Sequence, residues 1–323
     1  MTPDLDTLLQ ARERIRTQVH TTPVLTSSAL NHITGAELYF KCENFQKVGA
    51  FKFRGASNAI LSLDENQARA GVATHSSGNH AAAVALAARL RGIPAHIVMP
   101  ETAPEIKKRA VQGYGAQITF CAPTIAAREQ TLERILTETG ATLIHPYNDH
   151  AVIAGQATAA LELLEQLPQA PDFVLAPIGG GGLISGTALA VHYLAPNTKA
   201  IGSEPRLADD AARSFRSGEI QPPMPPKTIA DGLLTCLGDK TFAVIREYVH
   251  DILTVSEKAI VTAMRMTWER MKIIIEPSSA VPLAAVLEHP DFFRGSRTAI
   301  ILTGGNADLD NLPWQATDRL PEA

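Results

Sequence analysis

The sequence contains few cysteines and no arrangement of them that suggests a crosslink. Cys42, Cys121 and Cys236 are the three cysteines among 323 residues, and they lie far apart, without a C-x-x-C pair. This usage is typical of reduced thiols and argues against a small domain held together by disulfides. We therefore expect a cytoplasmic location.

The sequence also lacks the marks of a surface for nucleic acid or membrane. Aromatic residues make up 5% of the chain, the formal net charge is −4, and no run of basic residues stands out. A base-stacking platform and a basic binding surface are therefore disfavoured. Apolar runs such as "AAAVALAA" end after eight residues, which is too short to span a bilayer. We expect a small-molecule substrate and neither a nucleic-acid nor a membrane partner.

Short β-like runs alternate with longer helical patterns along the chain. "PAHIVMP" leads into "ETAPEIKKRAVQGYG", and "AQITFCAP" leads into "TIAAREQTLERILTETG". This alternation predicts the α/β class, with mostly parallel sheets covered by helices. Ligands of such sheets bind beyond the carboxyl ends of strands, which here end in "HSSGNH", "PIGGGG", "SEP" and "TGGN". A proline-rich stretch, "QPPMPPKT", predicts a semi-rigid connector.

The segment "AFKFRGASNA", residues 50 to 59, places Lys52 between two phenylalanines. Alternation of this kind favours a half-buried strand, with Phe51 and Phe53 facing inward and Lys52 in solvent. The other interpretation is a lysine held in an apolar pocket, where the amine is neutral, paired or used covalently. Such a pocket lowers the lysine pKa from its usual ~10.4 and makes the amine a nucleophile towards an aldehyde.

Two loops offer sites for anions. The four glycines from Gly179 to Gly182 lie between an apolar strand and a helix start, where backbone N–H groups can surround a phosphate. Their spacing is neither a dinucleotide fingerprint nor a Walker loop, so a single small phosphate is favoured over a nucleotide, with a structural turn as the alternative. "SSGNH" is either a helix cap or a carboxylate site. An amine reactive towards aldehydes and a phosphate loop together suggest pyridoxal phosphate.

Nine motifs in the same order along nearly the whole chain resemble those of a known family. They are "KCENFQKVGAFKFRGA", "THSSGNH", "AVIAGQ", "GGGGLISG", "EPRLADD", "TIADG", "WERMK", "EPSSA" and "LTGGN". The family is the fold-type II pyridoxal-phosphate enzymes, in the branch of serine racemase, threonine dehydratase and 3-hydroxyaspartate dehydratase. The resemblance implies the tryptophan-synthase-β-like fold, a homodimer, a large domain of residues 1–68 and 150–323, and a small domain of residues 69–149.

The resemblance also implies how the cofactor is held. Lys52 would form the Schiff base, Phe51 would lie near the ring, and Asn79 would hydrogen-bond the phenolic oxygen. Thr303 stands where relatives carry Ser or Cys, and its hydroxyl would face the pyridine nitrogen. The phosphate would be held by Gly179, Gly180, Gly181 and Gly182.

The same resemblance places the substrate and the reaction. The substrate carboxylate would lie on the loop formed by Ser76, Ser77, Gly78, Asn79 and His80. Lys52 would remove the Cα proton, and the β-hydroxyl would leave, giving a keto acid and ammonia. Ser77 would face the opposite side of the Cα, and a proton returned from there would give racemisation.

The acidic segment "EPRLADD" resembles the family's divalent-cation loop. The ligands would be the carboxylates of Glu204 and Asp210 and the backbone oxygen of Ala208. Hard oxygen ligands suit Mg²⁺, Ca²⁺ or Mn²⁺. Spacing alone favours a solvated helix start, whereas the resemblance favours a structural or activating cation. Glu276 matches a pocket glutamate to which no role is assigned.

The substrate is indicated by Arg128, which aligns with an arginine that can approach a dicarboxylate ligand in serine racemase relatives. A guanidinium fork facing a second carboxylate favours 3-hydroxyaspartate, with oxaloacetate or iminosuccinate and ammonia as products. A solvent-facing arginine is the alternative. L-threonine/L-serine dehydratase and serine racemase are the nearest alternative functions. A cofactor-binding protein without turnover is disfavoured, because both the lysine and the carboxylate loop are present.

Overall fold

The computed structural model describes residues 1–103, 105–222 and 227–315. The strands are β1 (Val24–Thr26), β2 (Glu37–Cys42), β3 (Val72–His75), β4 (Ala95–Pro100), β5 (Gln117–Cys121), β6 (Thr142–Leu143), β7 (Phe173–Pro177), β8 (Lys199–Pro205), β9 (Asp251–Val255) and β10 (Arg297–Leu302). The helices of the first half are α1 (Leu5–Ile15), α2 (Ser28–Thr34), α3 (Lys52–Leu61), α4 (Glu65–Ala70), α5 (Asn79–Arg91), α6 (Glu105–Gly113) and α7 (Ile125–Thr139). Those of the second half are α8 (His150–Gln166), α9 (Gly182–Leu194), α10 (Asp210–Ser217), α11 (Asp239–Tyr248), α12 (Glu257–Met271), α13 (Pro277–Glu288) and α14 (Pro290–Phe293).

The strands form two sheets. One has six strands in the order β1-β2-β10-β7-β8-β9, and the other has four in the order β5-β4-β3-β6. Strand β1 runs antiparallel to β2, while the other pairs in both sheets are parallel. The predicted α/β class with mostly parallel sheets flanked by helices is confirmed. The predicted domain boundaries, at residues 68/69 and 149/150, stay a prediction.

The larger sheet is buried on both faces. In β10 the residues from Thr298 to Leu302 are all fully buried, as expected for a parallel strand covered by helices on each side. Helices α12 and α13 form one apolar core with β2 and β10, and α9 forms another with β7. Helix packing on both faces leaves the strand ends as the accessible edge, which is where the predicted site loops emerge.

Helix α3 lies between the two sheets. Phe53, Ala56 and Ile60 pack into the core of the four-stranded sheet together with the alanine-rich helix α5. On its other side α3 crosses α8, where Gly55 N–H donates to Gln156 Oε1 at 3.2 Å. The residues at the start of α3 are therefore held by both parts of the molecule.

The strand interpretation of "AFKFRGASNA" is wrong, because the chain turns into a helix at Lys52. Ala50 makes a single antiparallel bridge with Gly304, and Phe51 already has helical angles of φ −53° and ψ −26°. Phe53 and Arg54 are both fully buried. Burial on successive positions fits a helix packed on two sides and not an alternating strand.

Two further predictions concern other parts of the chain. In the described ranges, every helix is too short or too polar to serve as a transmembrane segment. Residues 223–226 of the proline-rich stretch lie outside the described residues, so the predicted connector is not described there.

Candidate active site

Lys52, the first residue of α3, is held at the carboxyl edge of the larger sheet. The preceding Phe51 donates its backbone N–H to Thr303 O at 2.9 Å, which ties the helix start to the end of β10. Lys52 Nζ donates to Pro146 O at 2.8 Å and lies 5.2 Å from the centroid of the Phe51 ring. The amine is thus fixed by a carbonyl, without an ion-pair partner among the described residues.

Burial makes this amine less basic. It lowers the pKa of Lys52 to about 8, against the smaller opposing effect of Glu276. Burial also lowers the pKa of His80 to about 3 and that of His145 to about 4, and the charge of Lys52 adds to both shifts. Both imidazoles are therefore neutral at neutral pH. His80 Nε2 lies 2.9 Å from Ile144 O, so that nitrogen carries the proton and donates.

The four glycines turn the chain from β7 into α9. Gly181 has φ +87°, a conformation that favours glycine, and Gly182 begins the helix. A Cβ on Gly180 would lie 2.2 Å from the Tyr147 ring, so only glycine fits there. None of the four N–H groups has an acceptor within the described residues. Free N–H groups at a helix N-terminus are suited to a phosphate.

The loop from Ser76 to Gly78 follows β3 and leads into α5. Ser76 N–H donates to Val98 O at 3.1 Å, and Gly78 N–H lies 3.3 Å from Ser76 Oγ, which accepts. The segment does begin a helix, because α5 starts at Asn79, but no side chain of the described residues caps it. Instead, Asn79 reaches the other sheet, where its Nδ2 donates to the Glu276 carboxylate at 3.0 and 3.2 Å.

Thr303 follows β10 and is buried with an unsatisfied hydroxyl. Its side chain is 3% exposed, and Oγ1 has no hydrogen-bond partner within the described residues. A buried hydroxyl left unpaired costs about 1–3 kcal/mol, which an incoming acceptor would recover. A pyridine nitrogen is such an acceptor, and the residue therefore fits the predicted cofactor.

Arg128 lies in the first turn of α7. Its side chain is partly buried, and its Nε is fully buried without a partner among the described residues. Burial lowers the pKa of His75, and the charge of Arg128 lowers it further. Because His75 ends β3 directly before Ser76, this cation acts on the same strand end as the serine loop. The side chain is therefore not fully solvated, and its contact with a second carboxylate stays a prediction.

The acidic loop is buried as well. Glu204 is 1% exposed and accepts from the N–H groups of Ala211 and Ala212 at 3.1 and 2.8 Å, at the start of α10. Asp210 is 6% exposed, and its Oδ2 is buried without a partner in the described part of the chain. Burial raises the pKa of both carboxyl groups, that of Asp210 to about 6. The solvated-helix-start interpretation is wrong, and an unpaired buried carboxylate oxygen fits a cation ligand.

The sequence did not reveal several residues that shape this site. Pro146 supplies the carbonyl that holds Lys52, and the Tyr147 ring packs on the glycine loop. Asn306 Nδ2 donates to Asn79 Oδ1 at 2.8 Å. "LTGGN" contains Asn306, so its position in a motif was the available signal. Tyr147 lies in "HPYNDH", a stretch that the sequence links to the substrate side chain, whereas Pro146 gave no signal, because its role depends on a contact with a distant segment.

Comparisons with known proteins agree with this geometry. The model of the family described as "Pyridoxal-phosphate dependent enzyme" matches residues 15–304. The chain is 54% identical over 312 residues to the beta-hydroxyaspartate dehydratase of Paracoccus denitrificans (strain Pd 1222), an alignment that covers 97% of this chain and 99% of that protein.

Solved structures show the same relationship. The serine racemase of Dictyostelium discoideum has a TM-score of 0.92 at 49% identity, covering 96% of this chain and all of that one. A threonine deaminase from T.th. has a TM-score of 0.91 at 46% identity, covering 95% of this chain and 99% of that one. Within the described residues, a lysine of lowered basicity, four glycine N–H groups without an acceptor and an unpaired threonine hydroxyl thus occur together in a chain with these relatives. It belongs to the fold-type II pyridoxal-phosphate-dependent enzymes.

Proposed function

We propose that this enzyme removes water and ammonia from 3-hydroxyaspartate by α,β-elimination. Two observations carry the proposal: the charge of the buried Lys52 amine acts on His80 of the serine loop, and the charge of Arg128 acts on His75, which ends β3 directly before that loop. The hydroxyl leaves Cβ with a proton as water, and the Cα proton is lost. One water then hydrolyses the resulting imine, iminosuccinate, to oxaloacetate and ammonia, so the overall loss is one ammonia.

The cofactor would be held by residues from three loops. Lys52 would attach it covalently, Asn79 would contact its phenolic oxygen, and Thr303 would donate to its ring nitrogen. The N–H groups of Gly179, Gly180, Gly181 and Gly182 would bind its phosphate, and Phe51 would pack near the ring. When bound, pyridoxal phosphate withdraws electrons from the amino-acid Cα and so makes its proton removable.

The substrate would be oriented by the small sheet. Backbone and side-chain donors of the loop from Ser76 to His80 would bind the α-carboxylate at the N-terminus of α5. Lys52, once released by substrate, would take the Cα proton, and its lowered pKa suits an amine that must act as a base near neutral pH. Ser77 would stand on the opposite side, where proton return gives racemisation.

Arg128 would read the second carboxylate of the substrate. A buried guanidinium nitrogen without a partner gains an acceptor when a dicarboxylate binds, and such charge-assisted pairs are the strong ones. The relative from Paracoccus denitrificans is named as a β-hydroxyaspartate dehydratase, which agrees with this substrate. Serine and threonine lack the second carboxylate.

The substrate is tested by comparing kcat/KM on the four 3-hydroxyaspartate stereoisomers, L-threonine, L-serine and D-serine. We expect one hydroxyaspartate isomer to be preferred. Arg128→Ala should lower kcat/KM for hydroxyaspartate about 10- to 100-fold more than for serine, as expected for one lost charge-assisted contact. Threonine preferred over every hydroxyaspartate isomer, or equal losses in the variant, would contradict the proposal.

The alternative function is L-threonine/L-serine dehydratase or serine racemase with the same residues. This alternative is supported by the likeness of the chain to solved structures of a serine racemase and a threonine deaminase, at 49% and 46% identity. The same assay decides, because these substrates are included and D-serine formation from L-serine can be followed in parallel.

The cofactor is tested on the purified protein. Wild type should become yellow with pyridoxal phosphate, and borohydride should abolish the colour and fix one cofactor per chain. Lys52→Ala should stay unmodified by borohydride, while Lys47→Ala, a nearby lysine outside the site, should behave as wild type. A colourless wild-type protein would overturn the proposal.

We further propose a divalent cation, Mg²⁺, Ca²⁺ or Mn²⁺, on Glu204, Asp210 and the backbone oxygen of Ala208. The buried, unpaired Asp210 Oδ2 supports it. A homodimer and a cytoplasmic location are proposed from the family resemblance and the cysteine usage. Light scattering of the purified protein tests the dimer.

A further inference from the structure

The side-chain amide of Asn79 lies between the Glu276 carboxyl group and the side-chain amide of Asn306. Its Nδ2 faces both oxygens of the Glu276 carboxylate, at 3.0 and 3.2 Å. Its Oδ1 accepts from Asn306 Nδ2 at 2.8 Å. Burial raises the pKa of Glu276 to about 7, so above that pH its carboxylate only accepts, and an amide turned by 180° would face it oxygen against oxygen. On the other side, the turned amide would face Asn306 with N–H against N–H at any pH.

The orientation of Asn306 is fixed in turn by the backbone. The same Asn306 Nδ2 donates to Val48 O at 2.8 Å, and a carbonyl can only accept. Val48 has φ +58°, which is a costly conformation for a β-branched residue. A Cβ on Gly49 would lie 2.7 Å from Asn306 Oδ1, so the neighbouring glycine is needed for this approach. A strained segment thus presents the carbonyl that determines how Asn306 is turned.

The partner on the other side is buried, whereas Asn306 itself is exposed. Glu276 is 5% exposed, its backbone N–H donates to Gly304 O at 3.0 Å, and a Cβ on Gly304 would lie 2.6 Å from Glu276 Oε1. Glu276 and Asn306 belong to the six-stranded sheet, whereas Asn79 begins a helix of the four-stranded one. The orientation of the Asn79 amide is therefore fixed by residues that lie on the side of the other sheet.

We propose that Glu276 and Asn306 are positioning residues that fix the Asn79 amide so that an N–H, and not the carbonyl oxygen, is left for the cofactor. One N–H shared between the two carboxylate oxygens satisfies Glu276, and the second N–H of the same nitrogen stays available. That hydrogen suits the phenolic oxygen of pyridoxal phosphate, whereas a reversed amide would present an oxygen to it. The inference rests on the proposed function, in which Asn79 contacts the cofactor.

The test exchanges donor and acceptor on the two sides of Asn79. In Asn306→Asp, Glu276 and the new carboxylate both accept from the N–H₂ group of Asn79, so Asn79 Oδ1 loses its donor and one hydrogen bond is lost. In the double variant Glu276→Gln/Asn306→Asp, the glutamine can donate to Oδ1 and the aspartate can accept from Nδ2, so the amide is paired again in the reversed orientation. The lost donor to Val48 O is common to the single and the double variant and cancels in a double-mutant cycle.

Two measurements are made on each protein: the thermal unfolding midpoint without cofactor, and the Kd for pyridoxal phosphate from an absorbance titration. Asn306→Asp should lower the midpoint and raise Kd about 10-fold or more, as expected for a lost hydrogen bond to a charged acceptor. The double variant should recover much of the midpoint, while its Kd stays raised at least as far. Asn311→Asp, an exposed asparagine, makes the same charge change and should alter neither.

A Kd that recovers together with the midpoint would show a merely structural role and overturn the proposal. So would an unchanged Kd in Asn306→Asp. If Asn306→Asp does not fold, Asn306→Ala, which removes the donor without adding an acceptor, should raise Kd several-fold and is read in the same way. A wild-type protein that binds no pyridoxal phosphate overturns the proposed function itself. Variants that turn yellow with an unaltered Kd overturn only the positioning role of Glu276 and Asn306.

Discussion

At the scale of single residues, Lys52 and Arg54 lie on one turn of α3, and their hydrogen-bond partners decide whether their pKa is lowered or raised. Burial lowers the pKa of Lys52 to about 8, because the nearest hydrogen-bond partner is a neutral carbonyl. Burial would also lower the pKa of Arg54, but Glu43 and Glu162 outweigh it and raise that pKa. The arginine therefore stays charged, whereas the lysine has the lowered basicity that the proposed nucleophile requires.

The lowered basicity of Lys52 predicts the pH dependence of cofactor attachment. The neutral amine is the nucleophile, so the rate constant for pyridoxal phosphate reacting with cofactor-free protein should rise with pH and level off above about pH 8, the pKa of the buried amine. Stopped-flow absorbance checks this, with N-acetyl-lysine amide as the unburied control. A midpoint near the ordinary lysine value would contradict it.

The unpaired hydroxyl of Thr303 predicts that its removal weakens cofactor binding without lowering the stability of the cofactor-free protein. Thr303→Val keeps the shape and removes a buried group that no described residue satisfies, so the cofactor-free protein should lose little or no stability. Its Kd for pyridoxal phosphate should rise about 3- to 10-fold, the value of one hydrogen bond. Thr303→Ser retains the hydroxyl and should bind like wild type. Equal binding by valine and serine variants would exclude a contact to the cofactor.

At the scale of elements, a buried ionic cluster joins α3 to β2 and α8. Arg54 Nε and Nη2 donate to Glu43 at 2.7 and 2.9 Å, and Nη1 and Nη2 donate to Glu162 at 2.8 Å each. Lys41 Nζ donates to Glu162 at 2.8 Å. The two cations and two carboxylates balance, so this cluster fixes the helix that begins with Lys52 without leaving a net buried charge.

Removing the central cation of that cluster should be costly. Arg54→Met leaves Glu43 and Glu162 short of a partner, and breaking a buried pair in this way costs about 3–5 kcal/mol. Urea unfolding of the cofactor-free protein measures the loss. Arg265→Ala breaks a pair with Glu269 in α12 in which both side chains are about half exposed (2.7 Å), and it should cost less than about 1 kcal/mol. Similar losses in the free energy of unfolding for both variants would contradict the stabilising role assigned to the buried cluster.

The crossing of α3 and α8 depends on glycine in both helices. A Cβ on Gly155 would lie 2.6 Å from Gly55 Cα and 2.7 Å from Arg54 O, both of them backbone atoms. Gly155→Ala should therefore destabilise by about 1–3 kcal/mol, the usual cost of overpacking. Gly113→Ala, at the end of α6 with no atom in reach, should be neutral or stabilise slightly. Thermal unfolding distinguishes them, and equal midpoints would show that the helices can move apart.

At the scale of the whole molecule, the site belongs to neither sheet alone. The serine loop, Asn79 and Arg128 come with the four-stranded sheet, whereas the glycine loop, Glu276 and Thr303 come with the six-stranded one. Lys52 begins the helix between them. Cofactor and substrate should therefore couple the two parts, because each contributes contacts that the other lacks.

If the proposed cation binds, adding it should raise the stability of the whole folded protein. A ligand bound only by the folded state stabilises it by about 2.7 kcal/mol at 100 times its Kd. Mg²⁺, Ca²⁺ or Mn²⁺ should raise the unfolding midpoint of EDTA-treated protein, and Asp210→Asn should remove the response. Asp209→Asn, whose carboxylate accepts from Arg213 at 2.9 Å, should keep it. An increase that survives in Asp210→Asn would place the cation elsewhere.

The sequence by itself determined the family and the α/β class, and it predicted the reactive residues. Motifs such as "FKFRGA" and "GGGGLISG" name residue types that the chemistry requires, and the strand–helix alternation follows from local hydrophobic periodicity.

Only the tertiary structure decided how those residues are held. Lys52 begins a helix although its neighbours alternate like a strand, because packing on α5 and α8 outweighs local pattern. The pairing of Asn79 with Glu276 and Asn306 spans 197 and 227 positions of the chain. Residue types and periodicity are local properties, whereas burial, amide orientation and lysine basicity arise from contacts between distant segments, which exist only once both sheets have formed.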